Sequence, residues 1–403
     1  MQLVARTHAM LTKIYSVLRF IGLGKLVILI VVIYILSLIQ IYSAKLREIR
    51  TTSHYISYVN NKEIKYILQW TRRFSAPFDF MGEGNSAFIK NECVYNNCFV
   101  TDDNNYFLNH SEFDAIAFNG RDVEHLWLLP TDRSPKQKYI FGAMESPDNF
   151  PVCNPIYDGF FNWTWTYKLD SDFRFGYITI YDLNGTVLGP SVNMKWPEKL
   201  DPISVELKRS LSKKKKAAAW FVSNCNSKGR REMFVNSVQQ ELKKYSLSID
   251  VYGACGTFSC PKTKAKACFD LIKSDYYFYF SLENSFSEDY VTEKLLTALN
   301  NNAIPVVFGA ADYTRFLPPG SYLDGLLLGP RVLAEKMNEI ITNRTLFYDY
   351  FRWRNHFVYK ETSSKEDICK LCEMLNNEEK VSEISEWPDF RRWWNGERYR
   401  DNC

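Results

Sequence analysis

The chain of 403 residues lacks the usual phosphate-binding fingerprints: it has no Walker loop and no G-x-G-x-x-G run, so a standard nucleotide cradle is excluded. It has no internal repeat and no low-complexity tract, which excludes solenoids and fibrous scaffolds. Charge imbalance is also scarce. A net charge of +4 is too mild to argue for a nucleic-acid partner. What is present is globular: 46% hydrophobic and 24% charged residues, in a chain long enough for a short tail and two domains. Aromatic residues at 16% fit a binder of sugars or bases, and equally a large core.

One stretch lacks charge altogether. "LVILIVVIYILSLIQIY" (26–42) has about the minimum length of a membrane span. Arg6, Lys13, Arg19 and Lys25 precede it without an acid; Lys45, Arg47 and Arg50 follow with Glu48. This bias predicts a cytoplasmic tail (1–25), a transmembrane signal anchor (26–43) and a polar stem (44–62), with the remainder facing a lumen. A cleaved signal peptide is the alternative. Sequons at Asn109, Asn162, Asn184 and Asn343 make these N-glycosylation candidates, and ten cysteines, an even number, fit an oxidising compartment.

Beyond the stem, apolar runs at 64–70, 112–120 and 138–144 read as buried strands of a first domain, 63–207. "KRSLSKKKK" (208–216) reads as a solvated linker or helix end. The second domain, 217–365, alternates strand and helix: 217–224, helix 233–245, 248–253, then "YYFYFSLE", a helix opening at Asp289, and "AIPVVFGA". A tail, 366–403, follows. Parallel α/β sheets bind ligands at the carboxyl ends of their strands, where "VSN" and "ENS" fall.

The residues at those ends suit an anion. Asp289 is a good N-cap residue, and Tyr290, Glu293 and Lys294 then share one flank of the helix it opens. A lysine in a first helical turn disfavours the helix alone but serves an anion. Arg230 and Arg231 stand at another strand-to-helix turn, and two such rims would suit a diphosphate. Surface charge beside helix caps is the plainer reading of the same spacing.

Longer motifs narrow this. "FSLENSFSEDYVTEKLLTALNNNAIPVVFGA" with "FLPPGSYL", "AWFVSNCNSKGRR", "MESPDNFP" and "FNWTWTYKLDSD" occur in one order over 64–375. Together they closely resemble the signatures of the α1,3-fucosyltransferases, glycosyltransferase family 10. Leu282 stands where the family's F-E-N has its Phe. The resemblance implies an α/β fold of GT-B type, with two Rossmann-like domains facing a cleft. The second would bind GDP-fucose, and the first, with 366–403 packed back on it, the acceptor glycan. It implies an inverting transfer of L-fucose to O3 of a GlcNAc residue, with Glu145 of E-S-P as catalytic base. Val222, Ser223, Asn224, Arg231, Glu283, Asn284, Ser285, Tyr290, Glu293 and Lys294 match donor-binding positions. Asn162, Trp163 and Tyr167 become acceptor-side candidates. Asp170 to Asp172, "DSD", is read as structural, because this family does not hold its donor through that motif.

By spacing, Cys93, Cys98, Cys369 and Cys372 could bind zinc or act in redox chemistry. In the family, the late C-x-x-C pairs with early cysteines. Cys225, Cys255, Cys260 and Cys268 form a second group, similar to invertebrate members that fucosylate the innermost GlcNAc of N-glycans. Cys153 and Cys403 remain for a mutual or an intermolecular bond. The expectation is a Golgi enzyme, single-pass type II, with its catalytic part lumenal. It would take glycoprotein N-glycans as acceptor and GDP-fucose as co-substrate, with no obligatory cofactor or metal but room for stimulation by a divalent metal. Lewis-type or LacdiNAc termini are the alternative acceptors, and a catalytically silent glycan-binding relative the alternative class.

Overall fold

The computed structural model describes residues 23–55, 58–59, 62–71, 76–396 and 403. Two units are described separately, Met1–Ile64 and Lys65–Cys403. In the first, a helix runs over Leu23–Tyr55, and Tyr58–Val59 pairs antiparallel with Lys62–Glu63. Residues 1–22 of the expected cytoplasmic tail lie outside the described residues. Among the described residues no helix is long and apolar enough to cross a membrane. Described side chains on the first helix run without a break only over 28–43; those of Leu26 and Val27, where the apolar stretch begins, fall outside.

The second unit is built on two parallel sheets. In the first the strand order is Cys98–Thr101, Lys65–Gln69, Ala115–Asn119, Lys138–Ala143, Trp163–Thr166 and Phe173–Arg174. "AIAFN" and "KYIFGA" are buried along their whole length, as strands covered on both faces must be. Even Lys138 is only 2% exposed; its ammonium donates to the carbonyl of Glu383 at 2.8 Å. The second sheet runs Ile249–Tyr252, Lys216–Phe221, Tyr276–Leu282, Ile304–Phe308 and Leu323–Asp324. Its order reverses between Lys216–Phe221 and Tyr276–Leu282, the place where doubly wound sheets open a crevice. A small antiparallel sheet joins Val187–Gly189, Ile178–Tyr181 and Val358–Glu361.

The lysine run follows a helix end with Lys213, Lys215 and Lys216 exposed, as expected, but differs from the solvated reading at Lys214. Helix Val205–Leu211 covers part of it, and Lys214 is 4% exposed. Its ammonium donates to the carbonyls of Ile272 (3.0 Å), Lys273 (3.0 Å) and Tyr276 (2.7 Å), at the end of helix Ala265–Asp275. A helix leaves its last carbonyls without partners, and a cation there satisfies them and opposes the dipole. Burial pulls the Lys214 pKa down to about 7, against the pull of Asp275.

The C-terminal tail returns to the first sheet. Cys93–Cys369 and Cys98–Cys372 fasten helix Ser364–Leu375 there, with Ile368, Leu371 and Leu375 buried in one core with Ile67, Phe78 and Trp165. Phe390 and Trp394 then pack on Phe141, ring centres 4.8 and 4.9 Å apart. Asp170 and Asp172 accept from the indoles of Trp393 (2.8 Å) and Trp387 (3.3 Å), so "DSD" anchors this segment. Cys153–Cys403, Cys225–Cys255 and Cys260–Cys268 complete the pairing.

Lys214→Met should remove the ammonium from all three carbonyls, of which only that of Ile272 is also seen to accept the cap N–H of Tyr276. We expect a loss of about 1–3 kcal/mol, read as a lower urea midpoint at unchanged slope. An unchanged midpoint would show that solvent satisfies that helix end.

Candidate active site

The first sheet delivers its carboxylate by ending. Strand Lys138–Ala143 is wholly buried, and the chain emerges at Met144 and Glu145. Glu145 Oε2 accepts from Asn149 Nδ2 at 2.8 Å, one helical turn on in sequence, and from the Tyr290 hydroxyl at 3.0 Å. Its Oε1 has no hydrogen bond among the described residues. A cavity of about 610 Å³ adjoins it. Asn119, Arg121, Glu145, Asn149, Phe150 and Tyr177 line it from the first sheet's side, and Asn224 and Asn284 from the second's.

The second sheet brings its cations to the same edge, but ties them down. Gly229 donates its N–H to the carbonyl of Asn284 at 2.8 Å, and a Cβ on it would stand 3.3 Å from that oxygen. Glycine therefore lets the loop after Lys216–Phe221 lie against the end of Tyr276–Leu282. Arg231 opens helix Arg231–Leu242, two residues before the expected start, and is 5% exposed. It donates to the carbonyls of Leu282 (2.8 Å) and Asn224 (3.4 Å), so one buried cation ties both strand ends. Glu283, 1% exposed, accepts from Thr292 N at 2.8 Å and from the Lys294 ammonium at 3.1 Å. Glu293 is the more exposed partner of Lys294, at 3.3 Å. Burial pulls the Lys294 pKa down, but Glu283 and Glu293 outweigh it and hold the ammonium above its ordinary value. Val222 is buried, with its N–H on the carbonyl of Tyr252, while Ser223 is exposed.

The helix expected from Asp289 begins at Glu293 instead, with Thr292 before it. Asp289 is no N-cap: its φ is +58°, and its carboxylate accepts from Leu169 N at 3.0 Å and pairs with Arg315 at 2.8 Å. Tyr290 and Lys294 are therefore not neighbours on one helical face. The cause is tertiary, because every residue of 285–290 meets the first sheet's side. Ser285 shares a hydrogen bond with Ser146 (2.6 Å), and Phe286 N donates to Asp148 (3.0 Å). Ser287 meets the Tyr167 hydroxyl (3.0 Å), and Glu288 pairs with Lys168 (3.3 Å). Asp289 and Tyr290 complete the row on Leu169 and Glu145. Burial, then Tyr177 and Glu145, push the Tyr290 phenol well above its ordinary range, so it remains a donor.

Of the expected site residues, Glu145, Asn224 and Asn284 line the cavity. Ser285 and Tyr290 are engaged in docking, and Arg231, Glu283 and Lys294 form the charged layer behind. The acceptor-side expectations change. Trp163 is 2% exposed within the first core, and Tyr167 is held by Ser287. Asn162 is 8% exposed; it accepts from Tyr139 N and donates to the carbonyl of Ser385, which also removes its amide as a sugar acceptor in the folded chain. Asn109, Asn184 and Asn343 are exposed. Asn119, Arg121, Asn149 and Tyr177 escaped the sequence reading. The usable signal was position: Asn119 ends a strand, and Asn149 lies four residues after Glu145.

Comparison with known proteins adds the family. A model for "Glycosyltransferase family 10 (fucosyltransferase) C-term" matches residues 211–393, and one for "Fucosyltransferase, N-terminal" matches 62–178. Alpha-(1,3)-fucosyltransferase C of Drosophila melanogaster is 34% identical over 81% of this chain and 77% of its own length. The chain belongs to the fucosyltransferases of glycosyltransferase family 10. Glycoprotein 3-alpha-L-fucosyltransferase A of Drosophila melanogaster is 30% identical over 78% of this chain, which spans 58% of that protein. The 3-galactosyl-N-acetylglucosaminide 4-alpha-L-fucosyltransferase of Bos taurus is 32% identical, over 71% of this chain and 73% of its own. A solved alpha1,3-fucosyltransferase with GDP aligns with a TM-score of 0.47 at 14% identity, over 81% of this chain and 94% of that one.

In this fucosyltransferase, Tyr290→Phe keeps the ring that packs edge-on against Tyr167 at 4.9 Å but removes one of two donors to Glu145. Turnover should fall roughly tenfold with the melting temperature little changed. Equal loss of turnover and of folding would mean that the hydroxyl acts on structure alone.

Proposed function

We propose that the chain transfers L-fucose from GDP-β-L-fucose to O3 of a GlcNAc residue in protein-linked glycans, with inversion, as a GT-B enzyme whose two parallel sheets form Rossmann-like halves. One observation carries this: Glu145 is oriented by two donors, keeps an oxygen uncommitted among the described residues, and borders a cavity that also touches Asn224 and Asn284. In the proposed reaction the acceptor O3 forms a bond to fucose C1 while its proton passes to Glu145. The bond from C1 to the GDP phosphate oxygen breaks, and its electron pair stays on the diphosphate. Arg231 and Lys294, both fixed in place, supply positive potential where that charge develops. With these cations present, we propose no obligatory metal.

The core GlcNAc of N-glycans is the acceptor we favour. The support is the Cys225–Cys255 and Cys260–Cys268 pairs and the relative named for glycoprotein transfer. Galactosyl-GlcNAc termini are the second reading, favoured by a relative named for such acceptors and 31% identical. We also propose that 26–43 anchors the chain in the Golgi membrane with the second unit lumenal. Ile28, Ile33, Leu36, Ile41 and Tyr42 are each more than half exposed along its helix, and all ten cysteines are paired. Release of the chain from membranes at alkaline pH without detergent would remove the anchor.

With GDP-fucose and a panel of N-glycan and lactosamine acceptors, transfer should appear on one class, and Glu145→Gln should lower it by roughly 10²–10⁴-fold while GDP binding stays. Folded chain that binds GDP but transfers to none of them would instead be a silent glycan-binding relative. Loss of GDP binding in Glu145→Gln would remove that residue from the role of base.

A further inference from the structure

The small antiparallel sheet has an edge without charged guards. Val187–Gly189 is its outer strand and pairs, among the described residues, with Ile178–Tyr181 alone. An edge strand leaves backbone groups open to another chain, and charged side chains usually blunt it. Residues 183–194, "LNGTVLGPSVNM", contain none. Leu183 is 62% exposed, Val187 51%, Leu188 40% and Val192 44%. Single exposed apolar side chains are ordinary, but four so close together at a sheet edge call for a cover. The polar device in this stretch is the sequon at Asn184. Asp182 holds the backbone of the tip: its carboxylate accepts from the N–H of Asn184 (2.9 Å) and of Thr186 (2.8 Å), and its own N–H donates to the carbonyl of Thr186 at 2.9 Å. Gly185, at a φ of +88°, lets the chain turn there. Asn184 is thereby exposed, and its amide side chain makes no hydrogen bond among the described residues. The other exposed sequon asparagines serve the fold. Asn109 Oδ1 accepts from Ser111 N at 2.9 Å and Asn343 Oδ1 from Leu346 N at 3.2 Å, each at a helix start.

We propose that Asn184 carries an N-linked glycan that covers this apolar tip and edge strand and keeps them from pairing with a second chain. The inference rests on the reading of the second unit as lumenal. In the attachment, Asn184 Nδ2 forms a bond to C1 of a GlcNAc supplied on a lipid diphosphate. The amide gives one proton to the base of the transferring enzyme, and the bond from C1 to the phosphate oxygen breaks with its electron pair left on the diphosphate. The chain itself places the cover, because the attachment point lies inside the apolar set. Leu183 is adjacent to it, and Val187 stands three residues on, opposite Tyr181 and on the same face. Lys360 already covers the Tyr181 ring, its ammonium 5.0 Å from the ring centre, so Leu183, Val187 and Leu188 are what remains. A glycan is bulky and solubilising: it blocks an approaching strand and adds hydrated surface. A second copy is the rival occupant, but a strand of three residues with Pro190 next to it offers few groups for pairing.

The test uses the full chain made in eukaryotic secretory cells. Mass spectrometry of its peptides should find Asn184 occupied. Asn184→Gln should raise self-association about tenfold, read by sedimentation in a mild detergent, while fucosyl transfer and GDP binding stay unchanged. Removal of the glycan from the folded chain by a glycosidase should give the same rise, which separates cover from any part in folding. Adding Leu183→Ser and Val187→Thr to Asn184→Gln should return association to the level of the glycosylated chain. Thr345→Ala removes the Asn343 sequon but leaves its cap, and should not raise association. A glycan at Asn109 or Asn343 but none at Asn184 would overturn the cover alone; none at any of the three would remove the lumenal reading and the cover with it. An occupied Asn184 whose loss leaves association unchanged would also overturn the proposal. So would association that survives the Leu183 and Val187 changes, or a glycosylated chain that already dimerises through 187–189.

Discussion

The structure depends on the docking of 285–290 against the first sheet's side. Six consecutive residues each find a partner there, from Ser146 to Leu169, and the last of them holds Glu145. Tyr290 lies in the same apolar cluster as Phe141, Tyr167 and Trp394, so the contact is packed as well as hydrogen-bonded. A single segment thereby fixes the distance between a carboxylate on one sheet and the cations on the other. It also explains an otherwise costly backbone. Asp289 takes a left-handed conformation that a non-glycine residue adopts only when its surroundings over-determine it. Leu169 N and Arg315 do so, although burial still pushes the Asp289 carboxyl above its ordinary range.

The charges behind the cavity obey a second constraint. A buried ion is tolerable only when paired and hydrogen-bonded. Glu283 with Lys294 and Thr292, and Arg231 with Glu232 at 3.5 Å and two carbonyls, meet that condition before any ligand arrives. Both cations are therefore held in place by the fold itself. Lys214 and Lys138 solve the same problem with carbonyls in place of carboxylates.

The C-terminal return links these parts. Its helix and aromatic residues complete the core of the first sheet, and its polar residues form one wall of a second cavity, which shares Ala76, Met144 and Tyr177 with the first. Disulfides between residues more than 270 positions apart hold it there, on the order of 3–5 kcal/mol each in the chain-entropy model. Packing and site geometry are thus supplied by the same segment.

The sequence by itself determined the sheets and the family. Buried parallel strands need near-continuous apolar runs, and "KYIFGA", "AAAWF" and "YYFYFSL" have them; the motif order did the rest. It also placed Glu145 at a strand end, since a strand leaves the core where its apolar run stops. What it left undetermined was which side chains face the cavity. Tyr290 and Lys294 have helical spacing, but tertiary contacts delay the helix to Glu293; Trp163 and Tyr167 are aromatic, but the core takes them. Asn119, Arg121, Phe80 and Glu361 lie far apart in sequence and carry no local pattern. Only the packing of two sheets and a returning tail brings such residues to one pair of cavities, because side-chain direction at a loop is set by what the loop touches.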